Sequence, residues 1–322
     1  MADETNGQDE FDGPASPDHE PSASAEQAAR RAEDESRLDI FDGVRGQDGN
    51  PILPVQLKEN DMFAFSCHKG ISCWNECCHG ADIVVTPGDM LRLSRHFGIR
   101  PIEFLDRYCY QAQWEKAGLP VAKLRMTGED GGGPCAFVDD EKGCTVYENR
   151  PVTCRYYPLG LAAIKMKGQD EKENFNFLVK EAHCKGHDES KLQSVAQYRK
   201  EQGADEYDQI NSGWMDILMK AASWASTGGP YGKEIAANTQ GMFYMVSTDI
   251  DAFRRFVFET RFLEIYEIEK ETTEVLKTND AVLLTLGFDW LKNVIFGEPT
   301  ISMKEAVLKE GIAKRREEFG AS

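Results

Sequence analysis

Eight of the nine cysteines in this 322-residue chain fall in one stretch, as Cys67-x5-Cys73-x3-Cys77-Cys78, Cys135-x8-Cys144-x9-Cys154 and Cys184. Unpaired cysteines that only pack a core scatter singly as small buried hydrophobes. Four thiols within twelve residues, among loop residues Gly70, Ser72, Asn75 and Gly80, do not fit that description. The pattern points to metal ligation, with a redox thiol relay as the lesser alternative. The ninth, Cys109, lies four residues after Leu105 in a stretch read as a helix from Pro101, which puts its thiol on the apolar face and in the core.

The compartment follows from what is absent. No basic segment leads into an apolar run at the start of the sequence, and nowhere do about 18 apolar residues follow one another, so neither a secretory signal nor a spanning helix is expected. A cytoplasmic protein without a membrane partner is the reading. In a reducing compartment nine cysteines do not form a disulfide framework, and a chain of this length needs none to staple its core.

Zinc sites favour spacings of two to four residues between ligand pairs, which only Cys73-x3-Cys77 meets closely. Iron–sulfur clusters accept irregular spacings in loops whose N–H groups face sulfur. The loops here are glycine-rich: Gly80, Gly131-Gly132-Gly133-Pro134 before Cys135, and Gly143 before Cys144. The balance tilts to an iron–sulfur cluster, 4Fe-4S in type, over zinc. Adjacent Cys77 and Cys78 diverge in direction, so they serve two different ions, or one ligates and the other packs. Four thiolates on one divalent zinc leave an excess of negative charge that nearby cations can offset. Arg150 and Arg155 bracket Cys154 and are the candidates to do so by hydrogen bonds to sulfur, against the plainer reading of surface salt bridges. His68, His79 and His183 each adjoin a cysteine and are read as supporting groups rather than ligands, and His187 has the weaker claim.

Formal net charge is −18, and half of it lies in residues 1–36, where eleven acids face Arg30 and Arg31. An acidic body supplies no counterion-release drive, so nucleic acid is not expected as a partner. The couple Leu91 to Leu105 has the outline of a helix-turn-helix, but its second helix offers mainly Glu103, Asp106 and Arg107. Residues 1–44 are too poor in large apolar groups to offset the entropy of ordering and read as a disordered acidic tail.

Residues 45–190 read as an α+β metal-binding domain, small and cysteine-rich, with short strands at 55–57, 62–65 and 83–85, two helices and a β-hairpin. Thr86-Pro87 reads as the start of the first helix and Gly98 as its stop; the second follows from Pro101. Residues 159–166 and 175–182 form the hairpin, which would bring Cys154 and Cys184 together across thirty residues of sequence. Residues 191–322 read as an all-helical extension: 192–202, 209–224, 249–271, 280–296 and 302–319, broken at Gly228-Gly229-Pro230. Phe253, Phe256, Val257, Leu263 and Tyr266 face inward as core.

Phe65-x-Cys67, Cys73, Cys77-Cys78, the Ile83-Val84-Val85-Thr86 strand, Gly-Pro-Cys135, Cys144-Thr-Val-Tyr147 and Arg150-Pro151-x-x-Cys154-Arg155-x-Tyr157-Pro158, followed by Cys184, resemble the YkgJ-type family of zinc- or iron-chelating cysteine-cluster proteins. The likeness covers about residues 60–190, with gaps of x5 and x3 where the family usually has C-x2-C-x2-CC. It implies a bound zinc or iron–sulfur centre, and one relative, the flagellin lysine N-methylase, implies protein methylation. No G-x-G-x-x-G follows an expected strand, so the residues themselves offer no nucleotide site. Three functions stay open at this point: a cluster-bearing protein with a redox role, a zinc-binding structural or interaction module with a protein partner, and a protein lysine N-methylase.

Overall fold

In the computed structural model, Thr86 opens the helix Pro87–Phe97 with a reciprocal cap. Its hydroxyl accepts from the Asp89 N–H at 3.2 Å, and the Asp89 carboxylate accepts from the Thr86 N–H at 3.0 Å. Pro87 fills the first helical position, where its missing N–H costs nothing, and Gly98 ends the helix at φ 64. The structure describes residues 56–128, 131–164, 173–226 and 235–318. The acidic tail and the Gly228-Gly229-Pro230 break lie outside them.

The helix Pro101–Tyr108 follows, but it stops one residue short of Cys109. Cys109 instead begins the strand Cys109–Trp114, which turns through Gly118 and pairs with Leu119–Leu124 from Cys109↔Leu124 to Trp114↔Leu119. Val84–Val85 adds to the other edge, giving a three-stranded antiparallel sheet with Leu119–Leu124 in the centre. That centre explains the burial of nearly every residue of Leu119–Leu124. Cys109 is 2% exposed and packs among Met90, Phe104, Leu124 and Phe137, so its place in the core holds although its helix does not.

The expected hairpin is present: Leu159–Ile164 pairs with Glu173–Leu178, from Leu159↔Leu178 to Ile164↔Glu173. Gln56–Leu57 adds a third strand on its far edge. Gly160 is required there, because a Cβ would stand 2.2 Å from the Phe177 ring. Met62–Ala64 pairs with Leu192–Ser194, so residues 192–194 are strand rather than the start of a helix; the helix Val195–Gln202 begins after Ser194, whose hydroxyl caps Gln197 N–H at 3.1 Å.

The helices Ala204–Ser226, Ala237–Thr248, Ile250–Glu259, Phe262–Ile265, Lys270–Leu276, Asp280–Phe296 and Glu305–Glu318 complete the chain. Asp280–Phe296 matches its expected limits. The single helix expected over 249–271 is three pieces. Thr260 competes with the backbone, accepting from Phe262 N–H at 3.3 Å, and Tyr266 leaves the helical path to pair with Met303. Ala237–Thr248 carries no strong apolar stripe, and tertiary packing holds it: Phe243 and Val246 are buried against Leu119 and Val121 of the sheet.

Leu91, Leu119 and Val121 share one buried cluster with Trp214, Ile217, Phe243, Phe253, Leu283 and Leu291, so helices after residue 200 pack directly on the sheet. Each fully buried leucine of this kind contributes about 2 kcal/mol. A second cluster holds Val85, Met90, Leu93, Phe104, Phe137 and Val146, with Cys135 and Cys144 at its margin. A third holds Phe63, Phe65, Tyr156, Leu159 and Tyr198, with Cys184 at its margin. Cys135, Cys144 and Cys184 thus lie along the edges of two cores. Among the described residues, no helix is long and apolar enough to cross a membrane.

Candidate metal centre

Cys67 to Cys78 is a run of tight turns. Ile71 N–H donates to His68 O at 3.2 Å, Trp74 N–H to Ile71 O at 3.0 Å, and Cys78 N–H to Asn75 O at 2.9 Å. Asn75 takes a left-handed φ of 70, which asparagine tolerates better than most residues, and Glu76–Cys78 winds as a 3-10 turn. With three residues per turn, successive side chains point about 120° apart. Cys77 and Cys78 therefore diverge along the turn, while their sulfurs stay within reach of each other.

Cys78 faces the glycine-rich loop. Cys135 N–H donates to Cys78 O at 2.7 Å and Gly80 N–H to Gly133 O at 3.0 Å, so residues 78–80 and 133–135 run as an antiparallel pair. Gly133 has no room for a side chain, since a Cβ would sit 2.5 Å from the Thr127 carbonyl oxygen. Cys144 comes alongside through the ladder Val138–Asp139 with Gly143–Cys144. Cys154 lies on the short helix Val152–Tyr156, and its N-terminus is anchored where Val152 N–H donates to the second carboxylate oxygen of Asp89 at 3.0 Å. The same carboxylate thus caps one helix and positions another. Burial holds its pKa up, at about 6, against these hydrogen bonds.

Cys184 approaches from the end of the hairpin. Lys185 N–H donates to the Cys73 sulfur at 3.2 Å, and Ser66 N–H donates to Gly186 O at 3.0 Å, joining this segment to the first cysteines.

The thiols perturb one another in two sets. Burial first, then Cys77, Cys73 and Cys184, push Cys67 up to about 11. Cys184 is raised by burial, with Cys73 and Cys77 adding. Cys154 is raised by burial, then by Cys135, Cys144 and Asp89. The Cys78 thiol faces the Cys77 sulfur, which holds Cys77 below the ordinary thiol value and Cys78 above it; burial, Cys154 and Cys135 raise Cys78 further. Cys67, Cys73 and Cys184 neighbour one another, as do Cys78, Cys135, Cys144 and Cys154, and Cys77 stands beside members of both groups. Cys77 also lies near Cys144 and Cys154, so the two sets meet at the Cys77-Cys78 turn. The hairpin register, Leu159↔Leu178, leaves Cys154 and Cys184 just outside its open end, and Cys77 neighbours both.

Cys67, Cys77 and Cys154 are exposed by surface area, yet burial dominates the perturbation of Cys67 and Cys154. Both hold if these side chains line a recess, open to solvent but walled by protein. Among the described residues, no three His, Cys, Asp or Glu side chains already close to the geometry of one bound ion. The thiols are gathered rather than closed, and Zn–S bonds of about 2.3 Å would draw them inward. The donor set suits a thiophilic cation. Backbone N–H groups of Phe137, Val146 and Gly186 face the sulfurs of Cys135, Cys144 and Cys184 and favour their thiolates against burial.

Arg150 and Arg155 are each 7% exposed. Arg150 donates to Tyr147 O at 2.6 Å and to the Gln202 side chain, and its guanidinium stacks 3.8 Å from the Tyr147 ring. Arg155 donates to Gln202 O at 2.6 Å, Glu148 O at 2.7 Å and the Tyr207 hydroxyl at 3.0 Å. These contacts bind the Cys154 segment to the helices beyond residue 195. Arg150 also favours the Cys144 thiolate through its charge. His68 and His79 are engaged locally, with Glu189 at 3.5 Å and with Asn75 O at 3.1 Å.

Two site residues, Asp89 and Glu181, had no clear signal in the sequence. Asp89 sits in a capping pattern that gives no hint of its bond to Val152. Glu181 and Tyr157 stand beside Cys184, and only Tyr157 belongs to a recognisable motif.

No curated protein and no solved structure matches the chain. Residues 66–185, the span from the first cysteine turn to just past Cys184, match the family model described as "Putative zinc- or iron-chelating domain", of the CxxCxxCC type.

Proposed function

We propose that this chain is a cysteine-ligated metal protein with two thiolate centres. Cys67, Cys73, Cys77 and Cys184 would hold the first, and Cys78, Cys135, Cys144 and Cys154 the second. The observation that carries the reading is that the turn holding Cys77 and Cys78 lies beside Cys67 and Cys184 on one side and, through Cys135 N–H to Cys78 O, against the glycine-rich loop on the other. Iron–sulfur clusters of the 4Fe-4S type are the favoured occupants. Their support is an all-thiolate donor set in irregular glycine-rich loops, with backbone N–H groups facing the sulfurs. When bound, such clusters supply one-electron chemistry. This chain's own part is to fix the thiolates, to stabilise them by N–H groups, and to wall the recess with the two cores.

Zinc is the second reading, favoured by the Cys73-x3-Cys77 spacing wound through tight turns. It would make the domain a structural or interaction module. Anaerobic purification followed by the visible absorption spectrum and analysis for iron, zinc and acid-labile sulfide separates the two. Brown protein with iron and sulfide is the expected result. Colourless protein with firmly held zinc would replace the cluster reading with the structural one.

A further inference from the structure

The two thiol sets are not equivalent in their surroundings. The second is laced into backbone pairing through Cys135 N–H to Cys78 O, the Val138↔Cys144 ladder and the Asp89 anchor at Val152. The first is spanned by turns, and it is tied to the chain after the hairpin by Lys185 N–H to the Cys73 sulfur, Ser66 N–H to Gly186 O, Phe65 N–H to Lys191 O and the Gln193 side chain to Phe65 O.

Around Cys184 the structure also leaves polar atoms buried without a hydrogen-bond partner: the Tyr157 hydroxyl, His183 Nε2 and both ring nitrogens of His187. His183 Nε2 is 3.5 Å from a Glu181 carboxylate oxygen, off hydrogen-bond geometry. Tyr157 lies beside Cys184 and Glu181 in the same way. The Glu181 carbonyl accepts from Cys184 N–H at 3.0 Å, which fixes the carboxylate's segment next to the thiol. A buried polar atom left unpaired costs about 1–3 kcal/mol, which an ion held between these groups would relieve.

We infer that Glu181, His183 and Tyr157 form the loading side of the first centre, where metal enters and leaves faster than at the second. The inference rests on the two-centre reading above. Oxygen and nitrogen donors accept a hydrated divalent ion readily. Cys67, Cys73, Cys77 and Cys184 would then hold the ion, each thiol giving its proton to solvent as it replaces a water. Glu181, His183 and Tyr157 act as positioning residues toward that ion.

The test uses the full chain, stripped of metal anaerobically, loaded with Co2+ and challenged with EDTA, while thiolate-to-cobalt charge-transfer absorption reports release. Two phases of equal amplitude are expected. Glu181→Gln combined with Tyr157→Phe should slow loading and release in the fast phase by about tenfold, with the slow phase and the total bound unchanged. Cys135→Ser should remove the slow phase. Release in one phase, or a fast phase untouched by the double variant while two Co2+ still bind, would overturn the loading side and leave the two-centre reading intact. Fewer than two Co2+ per wild-type chain before the challenge would remove the two-centre reading and this inference with it.

Discussion

Cys135 donates its backbone N–H to the carbonyl of Cys78 at 2.7 Å, across 57 residues of sequence. That bond, with its neighbour from Gly80 to Gly133, makes the glycine-rich loop the wall against which the Cys77-Cys78 turn packs.

Serine substitutions should separate ligands from core. Cys135→Ser is expected to lose metal, because an alcohol is a far poorer ligand for a thiophilic ion. Cys109→Ser is expected to keep metal while lowering stability by about 1–3 kcal/mol, since a hydroxyl replaces a thiol that is 2% exposed. Elemental analysis and denaturant unfolding of both variants check this; metal loss in Cys109→Ser would contradict it.

Gly143 takes φ 78, and a Cβ there would lie 2.5 Å from the Trp74 ring. Gly143→Ala should cost about 1–3 kcal/mol from the left-handed backbone and the displaced indole together. Because Gly143 precedes Cys144 and Trp74 follows Cys73, metal content should fall as well. A variant with wild-type stability and metal would show that this contact is not needed.

Asp89 accepts from Thr86 N–H and Val152 N–H while 0% exposed. Asp89→Ala leaves both N–H groups without that acceptor and is expected to destabilise the chain by about 2–4 kcal/mol. Thermal unfolding gives the comparison, and a loss under 1 kcal/mol at most would mean that water takes over the role.

The metal-free chain should weaken at alkaline pH. Cys67, Cys78, Cys109, Cys135, Cys144, Cys154 and Cys184 are held above the ordinary thiol value, burial leading in all but Cys78, and Cys77 below it. A raised folded pKa gives stability that is full below the unfolded value and lost as pH rises through the folded one. For Cys67 that window runs from 9.0 to about 11. Cys77 acts oppositely, its contribution being lost as pH falls, but it is outnumbered. The melting temperature of the metal-free chain should therefore fall across this window more steeply than that of the loaded chain, whose thiolates have no proton to lose. Parallel curves would contradict this.

Local chemistry made much of the architecture legible. Thr86-Pro87 and Gly98 bound their helix as capping rules require, and the hairpin after Pro158 follows from two apolar runs around a polar loop. The same rules misled where distant partners decide. Leu105 and Cys109 have helical spacing, yet pairing with Leu124 draws Cys109 into a strand. Leu192–Ser194 is strand because Met62–Ala64, some 130 residues earlier, pairs with it. In the candidate site, the grouping of cysteines by loops was visible. The Cys78–Cys135 pairing, and the engagement of Arg150 and Arg155 by Gln202 and Tyr207, leave no local mark.

The most direct measurement is metal per chain in wild type, Cys67→Ser, Cys135→Ser and the double variant, all prepared anaerobically. The account expects each single substitution to remove one half of the bound metal and the double to remove all of it. Complete loss from either single substitution, with the fold retained by circular dichroism, would mean one shared centre and would contradict the division at Cys77 and Cys78.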